Sequence, residues 1–398
     1  MAAFAGIIAS PALAQQQERT LDEIRTEAIH RAEVGGYPLI GLDPGDVREA
    51  FQSIHSRDKD EWAEAFMGVA GRYMAEGESL RQTQPAKADT DFIRAWRLYS
   101  FGRWPVPVSA KKQESYQKAI QAYLAHARFL DPPLQVIRIP FERKEIIGYM
   151  RLPRSASATA PVPIVIAING LDSRKEDLSE SFGAILPYGI GYIAIDGPGT
   201  GQSPVKASPT ANRAISAVID YLQTRPEIEK TRIAIHGVSW GAYWGTKMAV
   251  LERARLRCVS VQSPPTDLFF QKTFVENSLL GNREYLFDQV PALMSIFDNI
   301  TTMDQLVDMF QHMSLVNEKI LGQPTTRMLV IGGARDTQVP ISDVYALLTA
   351  GDVPKYAWIN PQGGHLGRQV GVWPDPRIFG EVILPWLSSQ LKPDGVKP

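Results

Sequence analysis

Apolar side chains recur with helical spacing from about residue 21 to residue 130. Trp62, Phe66, Val69 and Tyr73, for instance, lie four, three and four residues apart, which places them on one face of a helix. No alternating or continuous apolar run of the kind that forms strands interrupts this region. The pattern therefore predicts a helical cap domain over residues 18–131, whose aromatic faces form a core or a docking surface and supply some residues to a pocket.

The pattern changes after Asp131. Two alternating segments, Leu134–Pro140 and Glu145–Leu152, flank a charged stretch and predict a β-hairpin. Short, continuous apolar runs follow, as expected for strands that are buried on both faces of a parallel sheet covered by helices. We therefore predict a second domain over residues 132–398, built on a doubly wound, mostly parallel α/β sheet. The runs are Ile164–Ile168, Tyr192–Ile195, Ile233–Ile235, Cys258–Val261, Met328–Ile331 and Tyr356–Ile359.

One gap between predicted strands is unusually long. About 65 residues separate Val261 from Met328, which is too long for a plain crossover between neighbouring strands. The gap contains helix-like segments over residues 269–277 and 303–318. We therefore predict an inserted lid at about residues 267–323.

The first 14 residues form a separate problem. Residues 2–14 are uncharged and mostly apolar, and they end in Ala12-Leu13-Ala14 before a glutamine run. This resembles the apolar segment and cleavage site of a signal peptide, although the usual Lys or Arg at the start is missing. Export to the periplasm or the medium is favoured over the alternative, an Ala-rich tail on a cytoplasmic protein. The segment is too short to cross a bilayer, and no other uncharged stretch approaches about 18 residues, so no membrane span is expected.

Charge and cysteine content narrow the classes of partner. The chain has 398 residues, with 42 Lys and Arg against 43 Asp and Glu, so its net charge is −1. A near-neutral chain has no overall field to attract nucleic acid or an anionic membrane, so neither is expected as a main partner. The partner that we expect is a small-molecule substrate. Cys258 is the single cysteine, which excludes an intramolecular disulfide and thiolate-rich metal sites.

A serine stands between a predicted strand and a predicted helix in the segment His236–Gly241, which reads HGVSWG. Its centre, Gly237-x-Ser239-x-Gly241, is the pattern of a nucleophile elbow. In such an elbow the serine occupies a strained turn, and its neighbours are small because the strand and helix backbones approach closely. The strand before it and the helix after it favour this interpretation over a chance match.

A serine hydroxyl needs a base, and the base needs an acid that orients it. In this fold the acid and then the histidine follow the serine along the chain. Asp336 comes just past the run Met328–Ile331, and His365 lies in a glycine-rich loop past the run Tyr356–Ile359. Because α/β sheets place functional groups at the carboxyl ends of their strands, we expect Asp336 and His365 to meet the serine at one sheet edge.

Other histidines and acids fit these roles less well. His236 ends a predicted strand and is expected to pack behind the elbow, whereas His312 is expected on a helix surface in the lid. Asp343 has the position of an acid in the first turn of a helix, and Asp352 lies in a turn. They remain alternatives to His365 and Asp336.

Two backbone N–H groups are candidates for binding an oxyanion. Trp240 follows the serine at a helix N-terminus, and Leu171 lies in the loop after the run Ile164–Ile168. In the same loop Ser173 and Glu176 match the spacing of a helix capping box. The adjacent Arg174 and Lys175 are expected on a solvated face rather than on a substrate carboxylate.

The segments Asn169–Glu176 (NGLDSRKE), Asp196–Gly201 (DGPGTG) and His236–Gly241 together resemble the FrsA-like esterase branch of the α/β hydrolases. Family members split esters or C–C bonds beside a ketone, and they place the active site between a helical cap and the sheet edge. A homodimer is also implied. One departure is Ala242, where the family usually has glycine.

The resemblance implies a catalytic triad of Ser239, Asp336 and His365. In a C–C-cleaving relative an acidic residue beyond the strand after the elbow assists, and Glu276 is the nearest candidate for that role here. No P-loop, HExxH pattern or clustered metal-ligand spacing is found, so neither a cofactor nor a metal is implied.

Three hypotheses on function follow. The favoured one is a cofactor-free serine hydrolase that cleaves an ester of a medium-sized apolar or aromatic substrate through an acyl-enzyme. The second keeps the same three residues but hydrolyses a C–C bond of a ketone or diketone. The third is a binding protein on a hydrolase scaffold, against which the intact serine, acid and histidine argue.

Overall fold

The computed structural model describes residues 18–280, 282–287 and 289–393 of the chain. The signal peptide predicted for residues 1–14 lies outside these residues. No helix within the described ranges is both long and apolar enough to cross a membrane.

Helices alone occupy the chain ahead of the first strand. The opening helix begins at a capping box in which Thr20 and Glu23 bond each other's backbone N–H groups, so the chain is helical almost from the first described residue. Pro44 and Pro85 stand in the first turn of two further helices, where a missing N–H costs nothing. The helices are α1 (Leu21–Val34), α2 (Pro44–Phe51), α3 (Lys59–Leu80), α4 (Pro85–Arg103) and α5 (Ala110–His126).

Aromatic side chains hold these helices together, as the helical spacing predicts. Trp62 and Phe66 of α3 lie 5.1 Å apart between ring centroids, and both pack against Phe101 of α4 in edge-to-face contacts. The core of the helical region also takes in Tyr149 and Tyr285 from later parts of the chain. The cap is therefore packed onto the rest of the molecule by apolar contact.

One mixed sheet of eight strands runs through the rest of the described chain. Its order is β1-β2-β4-β3-β5-β6-β7-β8, and every pair is parallel except β1-β2 and β2-β4. The predicted hairpin and all six predicted apolar runs are strands. The strands are β1 (Gln135–Phe141), β2 (Lys144–Arg151), β3 (Val162–Ile168), β4 (Gly191–Ile195), β5 (Ile228–Val238), β6 (Cys258–Gln262), β7 (Arg327–Gly333) and β8 (Tyr356–Asn360).

Helices cover both faces of this sheet, so its central strands β3, β4 and β6 are buried along their whole length. This confirms the predicted doubly wound α/β fold. The covering helices are α6 (Lys175–Phe182), α7 (Arg213–Thr224), α8 (Trp240–Leu251), α12 (Ile341–Thr349), α13 (Asp375–Ile378) and α14 (Leu384–Gln390), and a π-helix, Phe379–Ile383, joins the last two.

The long connection between β6 and β7 is helical in short pieces. The helix predicted over residues 269–277 is instead a 3₁₀ turn, Leu268–Phe270, followed by α9 (Lys272–Phe274) and a π-helix, Val275–Leu279. Further along lie α10 (Gln289–Ser295) and α11 (Met303–Met313). Phe269 and Phe270 contact Phe310 of α11, so this connection has an aromatic core of its own.

A buried ion cluster joins α6 to the end of β4, where the sequence pattern predicted a solvated face. Lys175 is fully buried, and its Nζ lies 2.9 Å from both Asp196 Oδ2 and Glu176 Oε1. Burial alone would lower the pKa of Lys175, but the two carboxylates raise it, so the ammonium group stays charged. The solvated-face interpretation was wrong because charge spacing along the chain does not reveal partners from another strand.

Breaking this cluster should destabilise the protein strongly. Lys175→Met leaves Asp196 buried without its cation, and we expect the free energy of unfolding to fall by about 3 to 5 kcal/mol in urea denaturation. Lys87→Met is the matched control, because Lys87 is half exposed and pairs with Glu76 on the surface. Its loss should cost no more than about 1 kcal/mol, and an equal loss in both variants would contradict the prediction.

Candidate active site

Ser239 occupies a strained turn between β5 and α8. Its backbone has φ 52° and ψ −117°, a left-handed conformation that is costly for a residue with a side chain. A Cβ atom at Gly237 would lie 2.2 Å from the carbonyl oxygen of Gly241, and one at Gly241 would lie 2.2 Å from that of Ile168. Glycine is therefore the residue that fits both flanking positions, as the elbow pattern predicts.

The structure brings Ser239, His365 and Asp336 into one hydrogen-bonded chain. His365 Nε2 lies 2.9 Å from Ser239 Oγ, and His365 Nδ1 lies 2.9 Å from Asp336 Oδ2. The three residues follow the carboxyl ends of β5, β7 and β8. These strands are parallel, so their carboxyl ends lie along the same edge of the sheet. In this arrangement the imidazole can accept the serine proton while the carboxylate holds the ring.

The loop around Asp336 fixes the carboxylate. Asp336 Oδ1 accepts hydrogen bonds from the backbone N–H groups of Gln338 and Val339, both at 2.9 Å. The side chain is only 2% exposed. The histidine loop is fixed in a similar way, because the Leu366 N–H donates to Ser263 Oγ at 2.9 Å.

Charged neighbours set the protonation of His365. Burial alone would lower the pKa of His365, but the Asp336 carboxylate, and to a lesser degree the Glu284 carboxylate, raise it. The Arg368 guanidinium acts in the opposite direction. The net pKa lies above the ordinary value for histidine, so the charged imidazolium is stabilised.

The two predicted oxyanion donors are available for a ligand. Within the described residues, neither the Leu171 N–H nor the Trp240 N–H has a hydrogen-bond acceptor, and Trp240 is the first residue of α8. A Cβ at Gly170 would lie 3.3 Å from the Ser239 Cβ, so the Leu171 loop runs directly beside the serine. A helix N-terminus next to such donors favours negative charge.

Polar side chains hold the Leu171 loop, and one of them was predicted in a different role. Ser173 Oγ accepts the Gly170 N–H at 3.0 Å and therefore pins this loop rather than capping a helix with Glu176. Helix α6 begins later, at Lys175, where Asp177 Oδ2 accepts the Arg174 N–H at 2.7 Å. The predicted pair, Ser173 with Glu176, thus lies one residue before the pair at the start of the helix, Arg174 with Asp177.

His236 and His312, the alternatives to His365, lie outside the hydrogen-bonded chain of Ser239, His365 and Asp336. His236 is buried, and its Nδ1 lies 2.7 Å from Ser260 Oγ on the neighbouring strand β6. Burial lowers the pKa of His236 to about 4, so it is neutral at physiological pH. His312 is exposed on α11. Neither histidine is hydrogen-bonded to Ser239.

Asp343 also has a structural role. It lies buried in the first turn of α12, as its position predicted, and its carboxylate accepts four backbone N–H groups from residues 266–269. It thus anchors the start of the long β6-β7 connection. Asp352 is exposed in a turn. Neither acid is hydrogen-bonded to His365.

The structure does not bring Glu276 to the site. Its side chain is exposed, lies outside the cavity wall described below, and has Lys272 as an ion-pair partner at 3.6 Å. It points away because Val275 and Leu279 occupy the buried side of the same π-helix. Another acid from this connection, Glu284, contacts the histidine loop instead, and nothing in the sequence pattern distinguished it.

A cavity of about 480 Å³ has Ser239 and His365 in its wall. Helices of the cap form the opposite side, where Trp96, Phe101 and Trp104 line it. Five other cap aromatics, Trp62, Phe66, Tyr99, Tyr116 and Tyr123, are buried in helix packing and do not line it. The site is therefore an interior chamber between cap and sheet.

Polar groups interrupt the apolar wall of this chamber near the Leu171 loop. The Trp104 Nε1–H donates to Asp172 Oδ2 at 2.9 Å, and Arg103 donates to the Asp172 carbonyl oxygen. Among the residues that the structure describes, the buried Tyr285 hydroxyl and Gln289 Oε1 have no hydrogen-bond partner. These two groups can bind polar atoms of a ligand. No cluster of three or more potential metal ligands occurs in the described parts of the chain.

The chain belongs to the FrsA-like esterase family, whose model, "Esterase FrsA-like", matches residues 40–349. The match covers more than half of the chain and includes Ser239 and Asp336 but ends before His365. It agrees with the family resemblance carried by the sequence motifs. The protein is therefore a member of a hydrolase family.

Similar proteins include fungal and bacterial hydrolases. The α/β hydrolase ucsC of Acremonium sp is 27% identical over 255 residues, hydrolyase poxO of Penicillium oxalicum 27% over 263 residues, and esterase FrsA of Yersinia pestis 26% over 248 residues. These regions cover 57%, 61% and 56% of this chain and 51%, 62% and 58% of the relatives. The chain thus spans less than two thirds of each relative's length.

Two solved structures share the fold over nearly the whole chain. The 2,6-dihydroxy-pseudo-oxynicotine hydrolase superimposes with a TM-score of 0.73 at 20% identity, covering 91% of this chain and 95% of its own. AbyA5 gives a TM-score of 0.67 at 17% identity, covering 86% and 94%. Such coverage includes the helical cap, and it confirms the predicted α/β-hydrolase fold.

The close approach at the elbow leads to a prediction about stability. Gly241→Ala places a methyl group 2.2 Å from a carbonyl oxygen of β3, and we expect the free energy of unfolding to fall by about 1 to 3 kcal/mol or more. The control is Gly68→Ala in α3, where a Cβ meets no atom within 4 Å. That variant should be about 0.5 to 1 kcal/mol more stable in urea denaturation. Equal changes of the same sign would contradict this account.

Proposed function

We propose that this protein is a serine hydrolase that cleaves ester bonds. The observation that carries the proposal is the hydrogen-bonded chain from Ser239 Oγ through His365 to Asp336. His365 Nε2 takes the hydroxyl proton as Ser239 Oγ attacks the substrate carbonyl carbon. Asp336 keeps the ring in the required tautomer and stabilises the imidazolium that forms.

The tetrahedral intermediate carries a negative oxygen, and the free N–H groups of Leu171 and Trp240 bind it. His365 then returns its proton to the leaving alcohol, and the C–O bond breaks to leave an acyl group on Ser239. Water repeats the cycle: His365 takes one of its protons, the hydroxide adds to the acyl carbon, and the acid departs as Ser239 regains its proton. No cofactor takes part in these steps.

The chamber supports a proposal on the substrate class. A volume of about 480 Å³ is in the range of sites that hold a medium-sized small molecule. Trp96, Phe101 and Trp104 provide aromatic surface opposite Ser239. We therefore propose a medium-sized apolar or aromatic acyl substrate, with polar substituents that reach Tyr285 and Gln289.

Hydrolysis of a C–C bond beside a ketone is the second candidate. It is favoured by the shared fold, cap included, with the 2,6-dihydroxy-pseudo-oxynicotine hydrolase. The same triad serves, but the leaving group is then a carbanion that His365 must protonate. Product analysis with an aryl ester and a 1,3-diketone, supplied side by side, separates the two reactions. A binding protein without activity would convert neither compound.

Loss of the nucleophile tests the proposal directly. Ser239→Ala should lower kcat by about 10⁴-fold or more on any ester that the wild type hydrolyses, because no acyl-enzyme can form. A fluorophosphonate probe should label the wild type and leave this variant unlabelled. Ser79→Ala, on the exposed side of α3, is the control and should match the wild type. Near-full turnover by a folded Ser239→Ala protein would refute the proposal.

The pH profile tests the base and its acid. Because His365 must be neutral to accept a proton and its pKa is raised, kcat/KM should increase with pH and reach half its maximum above about 6.5, the ordinary pKa of histidine. Asp336→Asn removes the largest raising influence, so the midpoint should move to lower pH while kcat falls by about 10⁴-fold. If Asp343→Asn alone has that effect, the acid is wrongly assigned.

A further inference from the structure

A short segment of the long β6-β7 connection crosses the loops that carry Asp336 and His365. Its residue Glu284 accepts three hydrogen bonds through one carboxylate. Glu284 Oε2 accepts from the Thr337 backbone N–H at 3.1 Å and from the Thr337 hydroxyl at 2.6 Å. Glu284 Oε1 accepts from the His365 backbone N–H. One side chain thus joins the loop after β7 to the loop after β8.

The bonded atoms lie next to the reacting groups. Thr337 directly follows Asp336, and the third donor is the backbone of His365 itself. The Glu284 carboxylate therefore bridges the two backbones whose spacing sets the 2.9 Å contact between Asp336 and His365. It has no hydrogen bond to Ser239 and does not line the chamber.

The side chain of Asn282 also binds the backbone of this segment to the loop that carries Asp336. Asn282 Oδ1 accepts the N–H groups of Glu284 and Tyr285 at 3.0 and 3.2 Å. Asn282 Nδ2 donates to the Thr337 carbonyl oxygen at 2.9 Å. The segment and the Asp336 loop therefore contact each other through two side chains rather than through one flexible carboxylate.

The cap holds the other side of the segment. Arg31 of α1 donates to the Glu284 carbonyl oxygen at 3.0 Å, and Arg19, just ahead of α1, donates to the Tyr285 carbonyl oxygen at 2.6 Å. These bonds join the first helix of the cap to the residue that bridges the two catalytic loops. Docking of the cap and alignment of the triad thus share one segment.

We propose that Glu284 is a positioning residue of the hydrolase, which aligns His365 with Asp336 and links that alignment to the docked cap. This inference rests on the proposed serine-hydrolase function. Glu284 acts through the histidine and does not touch the substrate. It takes the place of Glu276 as the acid of this connection that serves the site.

The negative charge of Glu284 gives the positioning role a measurable effect, because it acts on the pKa of His365. The charged groups that face His365 are Asp336, Glu284 and Arg368, and Arg368 is itself paired with Asp375 at 2.7 Å. Asp336 makes the largest contribution that raises the pKa of His365, and Glu284 adds to it. Removal of the Glu284 charge should therefore lower the pKa of His365, which a purely structural side chain would not do.

The decisive variant is Glu284→Gln, which keeps the shape but replaces one acceptor oxygen by an NH₂ group facing a backbone donor. We expect kcat to fall between about tenfold and a hundredfold, because a small misplacement of a catalytic group is enough for such a loss. KM should stay within about twofold, since the chamber wall is unchanged. The rising limb of the pH profile should move to lower pH.

Glu276→Gln is the matched control. It makes the same change in the same connection, but its side chain is exposed and pairs with Lys272. We expect wild-type kcat, KM and pH profile from this variant. The pKa of His365, read from the imidazole resonances in an NMR titration, should fall in Glu284→Gln and stay constant in Glu276→Gln.

A second variant keeps the proposal testable if Glu284→Gln does not fold. Thr337→Val removes the hydroxyl donor at 2.6 Å and leaves the carboxylate charge in place. We expect a smaller fall in kcat, about threefold to tenfold, at unchanged KM. Unchanged turnover in a folded Thr337→Val protein would overturn the proposal in that case.

The outcomes separate this inference from the proposed function. If Glu284→Gln is folded and its kcat and His365 pKa equal those of Glu276→Gln, Glu284 is not a positioning residue, whatever Ser239→Ala shows. If the wild type neither hydrolyses esters nor reacts with a fluorophosphonate, the serine-hydrolase function is wrong. The NMR titration still decides the effect of Glu284 in that case, because it needs no turnover.

Discussion

The molecule depends on the contact between the backbones of β3, β5 and α8 around Ser239. That contact forces Ser239 into a left-handed turn and excludes side chains at Gly237 and Gly241. The turn aims the serine hydroxyl out of the sheet and leaves the first N–H groups of α8 without helical acceptors. The proposed nucleophile and one proposed oxyanion donor thus follow from one local constraint, and the other loops are arranged around it.

Charged side chains hold those loops in place. Lys175 is bound to Asp196 and thereby ties the start of α6, next to the Leu171 loop, to the end of β4. Asp343 anchors the long connection through four backbone N–H groups, and Glu284 joins the loops of Asp336 and His365. Lys175, Asp196 and Asp343 would be costly to bury alone, so each is matched to several partners, whereas Glu284 is half-buried. The result is a rigid sheet edge beneath an aromatic cap.

Some of this arrangement could be predicted from local pattern, and some could not. Continuous apolar runs identified the strands, because a strand buried on both faces is mostly apolar. Reasoning from local pattern failed for Arg174 and Lys175, because two adjacent charges indicate an exposed surface when only the neighbours in sequence are considered. The family resemblance suggested Glu276, and no pattern in the sequence pointed to Glu284. Both acids lie in a connection of irregular turns, where no periodicity shows which side chain faces inward.

The sequence by itself determined the strands, the elbow and the order serine, acid, histidine, because each depends on residues that are adjacent or regularly spaced. Parallel strands that end at one edge then made the meeting of Ser239, Asp336 and His365 a consequence of topology. The tertiary structure alone decided which cap aromatics line the chamber, what Lys175 is paired with, and that Glu284 bridges two loops. Those contacts join residues far apart in the chain, and their energies depend on burial and distance, which exist only once the chain has folded.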